Sequence, residues 1–263
     1  MLVRTGRIFD LLLLAILAIT TYVYIKRAEE GKKLPPIRKI PAVDAMEEGI
    51  GRAVEKGGMV HFASGGSGGR LSSEYLGMVI ASLNCLEHVA KLCARLGVPL
   101  VVSAPSRPEA LPLIEGIVRD SYRSEGKIED FNRDMIRFYG SDTGAYAQGI
   151  CGTIVRENCA CNINIGAWHT DCLLVLAAAH DIGAMNIGGT GRWIMMYAFA
   201  MLADFSMIAE EIYAAGALVS GDRGVISGLA AEDIGKFFAL AVIILGLIVS
   251  AISLPTFLVF IGM

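Results

Sequence analysis

The sequence predicts an α/β protein with an open, mostly parallel layered sheet and flanking helices, plus one transmembrane helix at each end. Two observations carry this prediction. Residues 9–25 and 237–263 are almost free of charge, although the whole chain holds 23 Lys and Arg and 26 Asp and Glu. Between these segments, short strand-like stretches alternate with longer helix-like stretches, a pattern typical of parallel sheets with helical crossovers.

The first apolar segment, FDLLLLAILAITTYVYI at 9–25, contains a single charged residue, Asp10. About 17 residues is the lower limit for a helix that spans a bilayer. A cleaved signal peptide is the rival interpretation, but no Ala-x-Ala cleavage pattern follows the segment. Arg4 and Arg7 precede it, and more cations follow it: Lys26, Arg27, Lys32, Lys33, Arg38 and Lys39. This excess places the following domain in the cytoplasm.

The second apolar segment, residues 237–263, has no charged side chain. A soluble helix of that length normally shows a polar face. The segment either crosses the bilayer with tilt or is broken at Pro255, because proline interrupts helical hydrogen bonding. Together the two segments predict a two-pass protein of the cell membrane with both termini outside.

Four regions follow from this reading. They are an N-terminal transmembrane anchor at 1–27, a basic, Pro-containing linker at 28–43, a cytoplasmic α/β domain at 44–235 and a C-terminal transmembrane helix at 236–263. All six cysteines lie in the third region: Cys85, Cys93, Cys151, Cys159, Cys161 and Cys172. A reducing cytoplasm keeps such thiols free.

Within the domain, helices are predicted where apolar residues recur every three or four positions, and strands where short apolar runs lie between turn residues. Asp44 is expected to cap the first helix, and Gly97 to end the second. The predicted helices are 44–56, 72–96, 109–123, 143–157, 168–180 and 209–219. The predicted strands are 59–63, 99–103, 134–139, 159–165, 184–187 and 204–208.

Two glycine-rich stretches, each expected in a loop after a strand, are the candidate ligand-binding site. Loops at the carboxyl ends of strands form the ligand crevice of open α/β sheets, and free N–H groups at a helix start bind anions. The predicted ligand is a phosphate or a nucleotide, and the rival interpretation is two structural turns. Neither stretch fits a P-loop or a Gly-x-Gly-x-x-Gly fingerprint. The candidate residues are Gly65, Gly66, Ser67, Gly68, Gly69, Gly188, Gly189, Thr190 and Gly191.

A hydrolase is a weaker alternative, because Gly65-Gly66-Ser67-Gly68-Gly69 also fits the nucleophile-elbow pattern Gly-x-Ser-x-Gly. The candidate bases and their orienting carboxylates are His169, His180, Asp142, Asp171 and Asp181. A nucleophile elbow, however, normally follows several strands, and this one follows the first. No catalytic residue is therefore assigned.

Cys159 and Cys161 are weak candidates for a metal site, because residues two apart on a strand share one face. The usual Cys-x-x-Cys spacing is absent, so buried, apolar thiols are the favoured interpretation. His61, within a strand, and His88, on a helix, are expected to be structural. No cofactor is assigned. The formal net charge of −3 argues against a nucleic-acid partner.

Several stretches resemble an uncharacterised family of prokaryotic membrane-anchored α/β proteins, classed as a domain of unknown function. They are RKIPAVDA at 38–45, VHF at 60–62, RLGVPL at 95–100 and EEIYAA at 210–215. The resemblance implies an anchored α/β module and carries no activity with it.

The sequence thus favours a membrane-anchored structural or scaffold protein that forms homo-oligomers in the membrane and presents its cytoplasmic domain to other membrane proteins. Two anchors around one domain, without a catalytic constellation, motivate this hypothesis. The alternative hypothesis is a ligand-binding or enzymatic domain that uses the two glycine-rich stretches.

Overall fold

The structure, a computed structural model, describes residues 8–66 and 71–252, with the side chains of residues 11–66 and 71–248. Contacts within these ranges divide the chain into two compact units. One unit comprises residues 38–220, and the other comprises the two ends of the chain.

A six-stranded sheet forms the centre of residues 38–220. Its strands are β1 (Met59–Ala63), β2 (Leu100–Ala104), β3 (Ile136–Phe138), β4 (Cys159–Ile165), β5 (Met185–Thr190) and β6 (Phe205–Ile208). The strand order is β3-β2-β1-β4-β5-β6, and every pairing is parallel. The predicted α/β class is therefore confirmed. This order is that of doubly wound sheets, whose direction of winding reverses between β1 and β4.

Helices cover both faces of the sheet. They are α2 (Pro41–Lys56), α3 (Leu76–Leu96), α4 (Leu111–Ser124), α5 (Thr143–Arg156), α6 (Asp171–Asp181), α7 (Met196–Leu202) and α8 (Glu211–Ser220). Buried side chains of α2, α3, α4 and α8 form the core on one face, and those of α5, α6 and α7 form the core on the other. The sequence did not predict α7, whose seven residues are too few for a clear helical period.

Local signals fix the helix ends. Pro41 occupies the first turn of α2, where its missing N–H costs nothing, and Gly57 ends that helix in a left-handed conformation with φ of 63°. Asp44 was predicted as the cap of this helix but lies within its first turn, because proline starts the helix earlier. Asp142 caps α5 by accepting hydrogen bonds from the backbone N–H groups of Gly144 and Ala145.

A chain of hydrogen bonds crosses four adjacent strands inside the sheet. Ser103 Oγ lies 2.7 Å from His61 Nε2, and His61 Nδ1 lies 2.7 Å from Asn162 Oδ1. Asn162 Nδ2 donates to Asn186 Oδ1 at 2.8 Å, and Asn186 Nδ2 donates to the carbonyl oxygen of Leu176 at 2.9 Å. Because an amide oxygen only accepts, His61 carries its proton on Nδ1 and accepts from the Ser103 hydroxyl. All four side chains are fully buried.

The two end helices, α1 (Ile8–Glu29) and α9 (Arg223–Ile252), pack against each other. The Arg223 guanidinium donates to the carbonyl oxygens of Ala28, at 3.2 Å, and Lys32, at 2.5 Å. Further along α9, Gly235 approaches Leu17. The two helices are therefore antiparallel. Pro255 and the end of the predicted segment 236–263 lie outside the described residues.

Two of the described helices are long and apolar enough to cross a membrane by length and composition alone. Leu11–Glu29, within α1, is only 6% buried. Leu76–Leu96, which is α3, is 56% buried and belongs to the core of the sheet domain.

Stability should depend on the protonation of His61. Burial lowers the pKa of His61 from 6.5 to about 4, so below pH 6.5 the unfolded chain binds a proton that the folded chain excludes. The contribution is fully present above pH 6.5 and falls as the pH drops towards 4. Between pH 7.5 and 5 we expect a loss of about 2 kcal/mol in the free energy of unfolding. Chemical denaturation of the full chain in detergent measures it.

His61→Gln should lose this part of the pH dependence, and His180→Gln, which changes an exposed histidine on α6, should keep it. Equal pH dependence in the wild-type chain and His61→Gln would contradict the assignment.

Candidate functional site

The loops that follow β1 and β4 meet at the point where the direction of winding reverses. Gly65 follows β1 with φ of 86°, and Gly166 follows β4 with φ of 144°. A Cβ on Gly65 would collide with the carbonyl of Ala167, and one on Gly166 with the carbonyl of Ser64. The two backbones touch, so only glycine fits at these positions.

An open cavity of about 440 Å³ lies at this carboxyl edge, next to the meeting loops. Gly66 lines it after β1, and Tyr75 lines it at the start of α3. The other lining side chains are four hydroxyls, two basic groups and one carboxylate, from the loops after β2, β3 and β4 and from the residues before α3: Ser73, Ser106, Ser141, Thr143, Arg107, His169 and Glu74. Four strands therefore contribute to one polar cavity.

Two arginines bring positive charge to the cavity. Arg107 is exposed and forms no ion pair with the described residues. Arg192 Nη1 lies 2.6 Å from His169 Nε2, and its guanidinium lies 4.8 Å from the ring centre of Tyr75. Burial and the charge of Arg192 lower the pKa of His169, so this histidine is neutral and accepts from Arg192. Arg192 thus lies behind two lining residues of the cavity and forms no ion pair with a carboxylate among the described residues.

Asp171 begins α6 just below the cavity. Its Oδ1 accepts a hydrogen bond of 2.8 Å from the backbone N–H of His169, whereas its Oδ2 is buried and has no partner among the described residues. Burial raises the pKa of this carboxyl. A Cβ placed on Gly66 would lie 2.9 Å from Asp171 Oδ2, so the carboxyl lies directly behind Gly66.

Four more buried side chains, three near the ends of β1 and β4 and one on α5, hold polar atoms without hydrogen-bond partners among the described residues. They are Ser64, Tyr146, Asn164 and Trp168. The Tyr146 hydroxyl lies beside the backbone of Gly65 without normal hydrogen-bond geometry. Each unpaired buried group costs about 1–3 kcal/mol, and native proteins hold few of them. With Asp171, five of the seven described side chains that hold such atoms belong to this region, and the other two, Ser82 and His88, lie on α3.

The structure places only part of the first glycine-rich stretch at the cavity. Gly66 lines it, and Gly65 packs on Ala167. Ser67, Gly68 and Gly69 lie outside the described residues. Ser67, the nucleophile of the hydrolase alternative, is therefore not described.

The second glycine-rich stretch is not the loop that was predicted. Gly188, Gly189 and Thr190 lie within β5, and Gly191 packs near Met78 and Tyr213. The carbonyl of Asn164 and the ring of Phe199 leave no room for a Cβ on Gly188. These glycines permit close packing of the sheet, which the sequence could not distinguish from a turn.

The prediction that Cys159 and Cys161 share one face of a strand is wrong. The pairing of β1 with β4 shifts register between Met59 and Val60, so that Ala160 is an extra residue. This bulge turns Cys159 towards α5 and α6, whereas Cys161 faces α2 and α3. Among the described residues, no three His, Cys, Asp or Glu side chains converge on a metal site.

Sequence reasoning missed most of the site residues, namely Arg107, Tyr146, Asn164, Trp168 and Arg192. One signal was readable. Asn162 and Asn164 alternate with isoleucines in CNINI, and polar residues at alternate positions of a strand buried on both faces need partners or a function.

Comparison with known proteins yields one match. The model of a domain of unknown function, DUF6754, matches residues 1–261. No curated protein and no solved structure matches the chain. The match confirms the resemblance to a family of unknown function: this chain belongs to the DUF6754 family.

Proposed function

We propose that this protein binds a small phosphate-bearing ligand in the cavity at the carboxyl edge of its sheet. The observation that carries the proposal is the combination of hydroxyl groups with two arginines at one cavity. Arg107 lines the cavity, Arg192 contacts two of its lining residues, His169 and Tyr75, and neither arginine forms an ion pair with a carboxylate among the described residues. Guanidinium and hydroxyl groups are the side chains that phosphate oxygens prefer.

Backbone geometry adds to this support. Tyr75, which precedes α3, and Thr143, which begins α5, both line the cavity, so the starts of two helices face it. The Tyr75 side chain does not cap α3, and the N–H of Leu76, the first residue of that helix, donates to the carbonyl oxygen of Ser73 at 3.2 Å. Helix starts favour negative charge. The position above β1 and β4 is also where doubly wound sheets bind their ligands.

Replacement of Arg107 by glutamine should weaken the binding of inorganic phosphate about tenfold, because one charge-assisted hydrogen bond is lost. Isothermal titration calorimetry on the full chain in detergent measures the affinity. Arg156→Gln is the matched control, since Arg156 is exposed near the end of α5 and away from the cavity. Absence of phosphate binding by the wild-type chain, or an equal loss of phosphate affinity in Arg156→Gln, would contradict the proposal.

The end helices support membrane anchoring of this domain. After α1 and α9 have paired, both still expose large apolar side chains, with Leu14 69% and Leu247 68% exposed. Such surface is stable in lipid and costly in water. Because Gly235 lies level with Leu17, the turn in which Lys236 forms ion pairs with Glu232 and Asp233 lies beside the middle of α1.

The anchored chain should remain in the membrane fraction after an alkaline carbonate wash. Protease added to intact cells should cleave tags at the two termini. It should cleave a tag in the loop around residue 126 only after the cells have been lysed. A terminal tag that is protected in intact cells would contradict the orientation.

A scaffold that forms homo-oligomers is the second candidate function. It is favoured by an apolar stripe along one side of α7 and the turn before it. Trp193 is 79% exposed and Met201 77% exposed, and Tyr197 lies between them at helical spacing. Exposed aromatic and methionine side chains of this kind are enriched where proteins meet.

If this stripe joins copies of the chain, the double variant Trp193→Ser, Met201→Ser should convert oligomers into monomers. Light scattering of the detergent-solubilised chain after gel filtration measures the mass. Leu174→Ser, which changes an exposed leucine on α6, is the control. A wild-type chain that is already monomeric would end this candidate.

A further inference from the structure

The apolar segments of the two end helices are out of register with each other. Gly235 of α9 approaches Leu17, which is the middle residue of the apolar segment 9–25 of α1. The charge-free part of α9, however, starts only at Phe237. Level with the middle of the apolar segment of α1, α9 therefore carries a turn with three charged residues: Glu232, Asp233 and Lys236.

The membrane anchoring proposed above puts this level deep in the bilayer. A helix rises about 1.5 Å per residue, so about 12 Å of apolar helix lies on either side of Leu17, within a hydrocarbon layer of about 30 Å. At this depth α1 exposes apolar side chains, with Leu14 69% and Ile19 63% exposed. Lipid covers such side chains without cost. At the same depth, α9 exposes charge.

The charged side chains of this turn pair with one another but are not covered. The Lys236 ammonium lies 3.2 Å from Glu232 Oε1 and 3.6 Å from Asp233 Oδ1. The side chains of Glu232, Asp233 and Lys236 are nevertheless 49%, 66% and 43% exposed. Charged groups at membrane depth are costly in lipid and normally face the interior of a helix bundle or water. The α1–α9 pair alone provides no interior for them.

The charged side chains do not lie on the side of α9 that meets α1. Ala231 lies one turn before Gly235, on the same side of α9, and is 1% exposed. Glu232 and Lys236 are each rotated by about 100° from that side, and Asp233 by about 200°. One turn before Glu232, a Cβ on Gly228 would meet nothing within 4 Å. A further helix can therefore approach α9 here while α1 stays in place.

We infer that Gly228, Glu232, Asp233 and Lys236 form the interface at which two copies of the chain pair within the membrane. The inference rests on the proposed membrane anchoring and extends it by naming the partner. The surface is complementary to itself in charge, because two acidic groups and one basic group lie within one turn. A two-fold interface brings the same surface of both copies together, so the ammonium of each copy meets the acidic pair of the other. The charges then face the interior of a bundle, and α1 faces lipid.

Cysteine cross-linking of the full chain in native membranes tests the interface. Gly228→Cys should form a disulfide-linked dimer on oxidation with copper phenanthroline, because the two copies of this residue face each other. Tyr22→Cys is the matched control, since Tyr22 is 65% exposed on α1 at nearly the same depth, and it should form little dimer. The unsubstituted chain, with five of its six cysteines buried, gives the background.

Charge variants in the Gly228→Cys chain test the role of the ion pairs. Lys236→Glu places three acidic groups in each copy, so cross-linking should fall about fivefold or more. The double change Glu232→Lys, Lys236→Glu restores opposite charges one turn apart and should restore cross-linking. Lys91→Glu, which breaks a similar pair with Glu87 on α3, should leave cross-linking unchanged. Lys236→Gln takes the place of Lys236→Glu if that variant does not insert into the membrane.

Failure of the anchoring and failure of the interface are distinguishable. A chain that the alkaline carbonate wash removes from the membrane overturns the anchoring and this inference with it. A retained chain whose Gly228→Cys variant forms no more dimer than Tyr22→Cys overturns the interface alone, and its charged turn then meets water or a different protein. Cross-linking that persists in full after Lys236→Glu also overturns the interface.

Discussion

The hydrogen-bond chain from Ser103 through His61 and Asn162 to Asn186 is the constraint on which the sheet depends. Each member comes from a different strand, so the chain fixes the register of β2, β1, β4 and β5 together. A slip of one residue would turn a polar side chain into the opposite, apolar face of the sheet. Because every bond in the chain is made, the buried polar groups cost little and specify one arrangement.

On the same face of the sheet, the hydrogen bonding of the buried side chains becomes incomplete towards the carboxyl edge. Asn164 lies two residues beyond Asn162 on β4, yet its amide has no partner among the described side chains. Polar groups that stabilise the fold and polar groups without a partner among the described residues are thus two residues apart on one strand. Proteins leave buried polar groups unpaired in this way at functional sites, where the groups cost stability but can bind a ligand. The position of the departure, beside the cavity, supports the ligand-binding proposal over a purely structural role.

The sequence predicted the order of elements well, because the signals for it are local. They are the spacing of apolar residues in helices, the glycines that end helices and the short apolar runs of strands. It did not predict that β4 lies beside β1, because strand order depends on contacts between distant segments. For that reason Gly66 was predicted as a loop residue, Asp171 was grouped with it only in the hydrolase alternative, and Tyr146 was not grouped with it. Gly188 and Gly189 were misread because a glycine that permits close strand packing and a glycine that permits a turn look alike in sequence.

The pairing of the two end helices bears on synthesis. Arg223 binds the carbonyl of Ala28, a residue 195 positions earlier in the chain. Domains fold as units while the chain emerges from its N-terminus. During synthesis, α1 therefore has no partner helix until the whole sheet domain and α9 have been made. A chain that stops before α9 is therefore left with an apolar helix, α1, that lacks its partner.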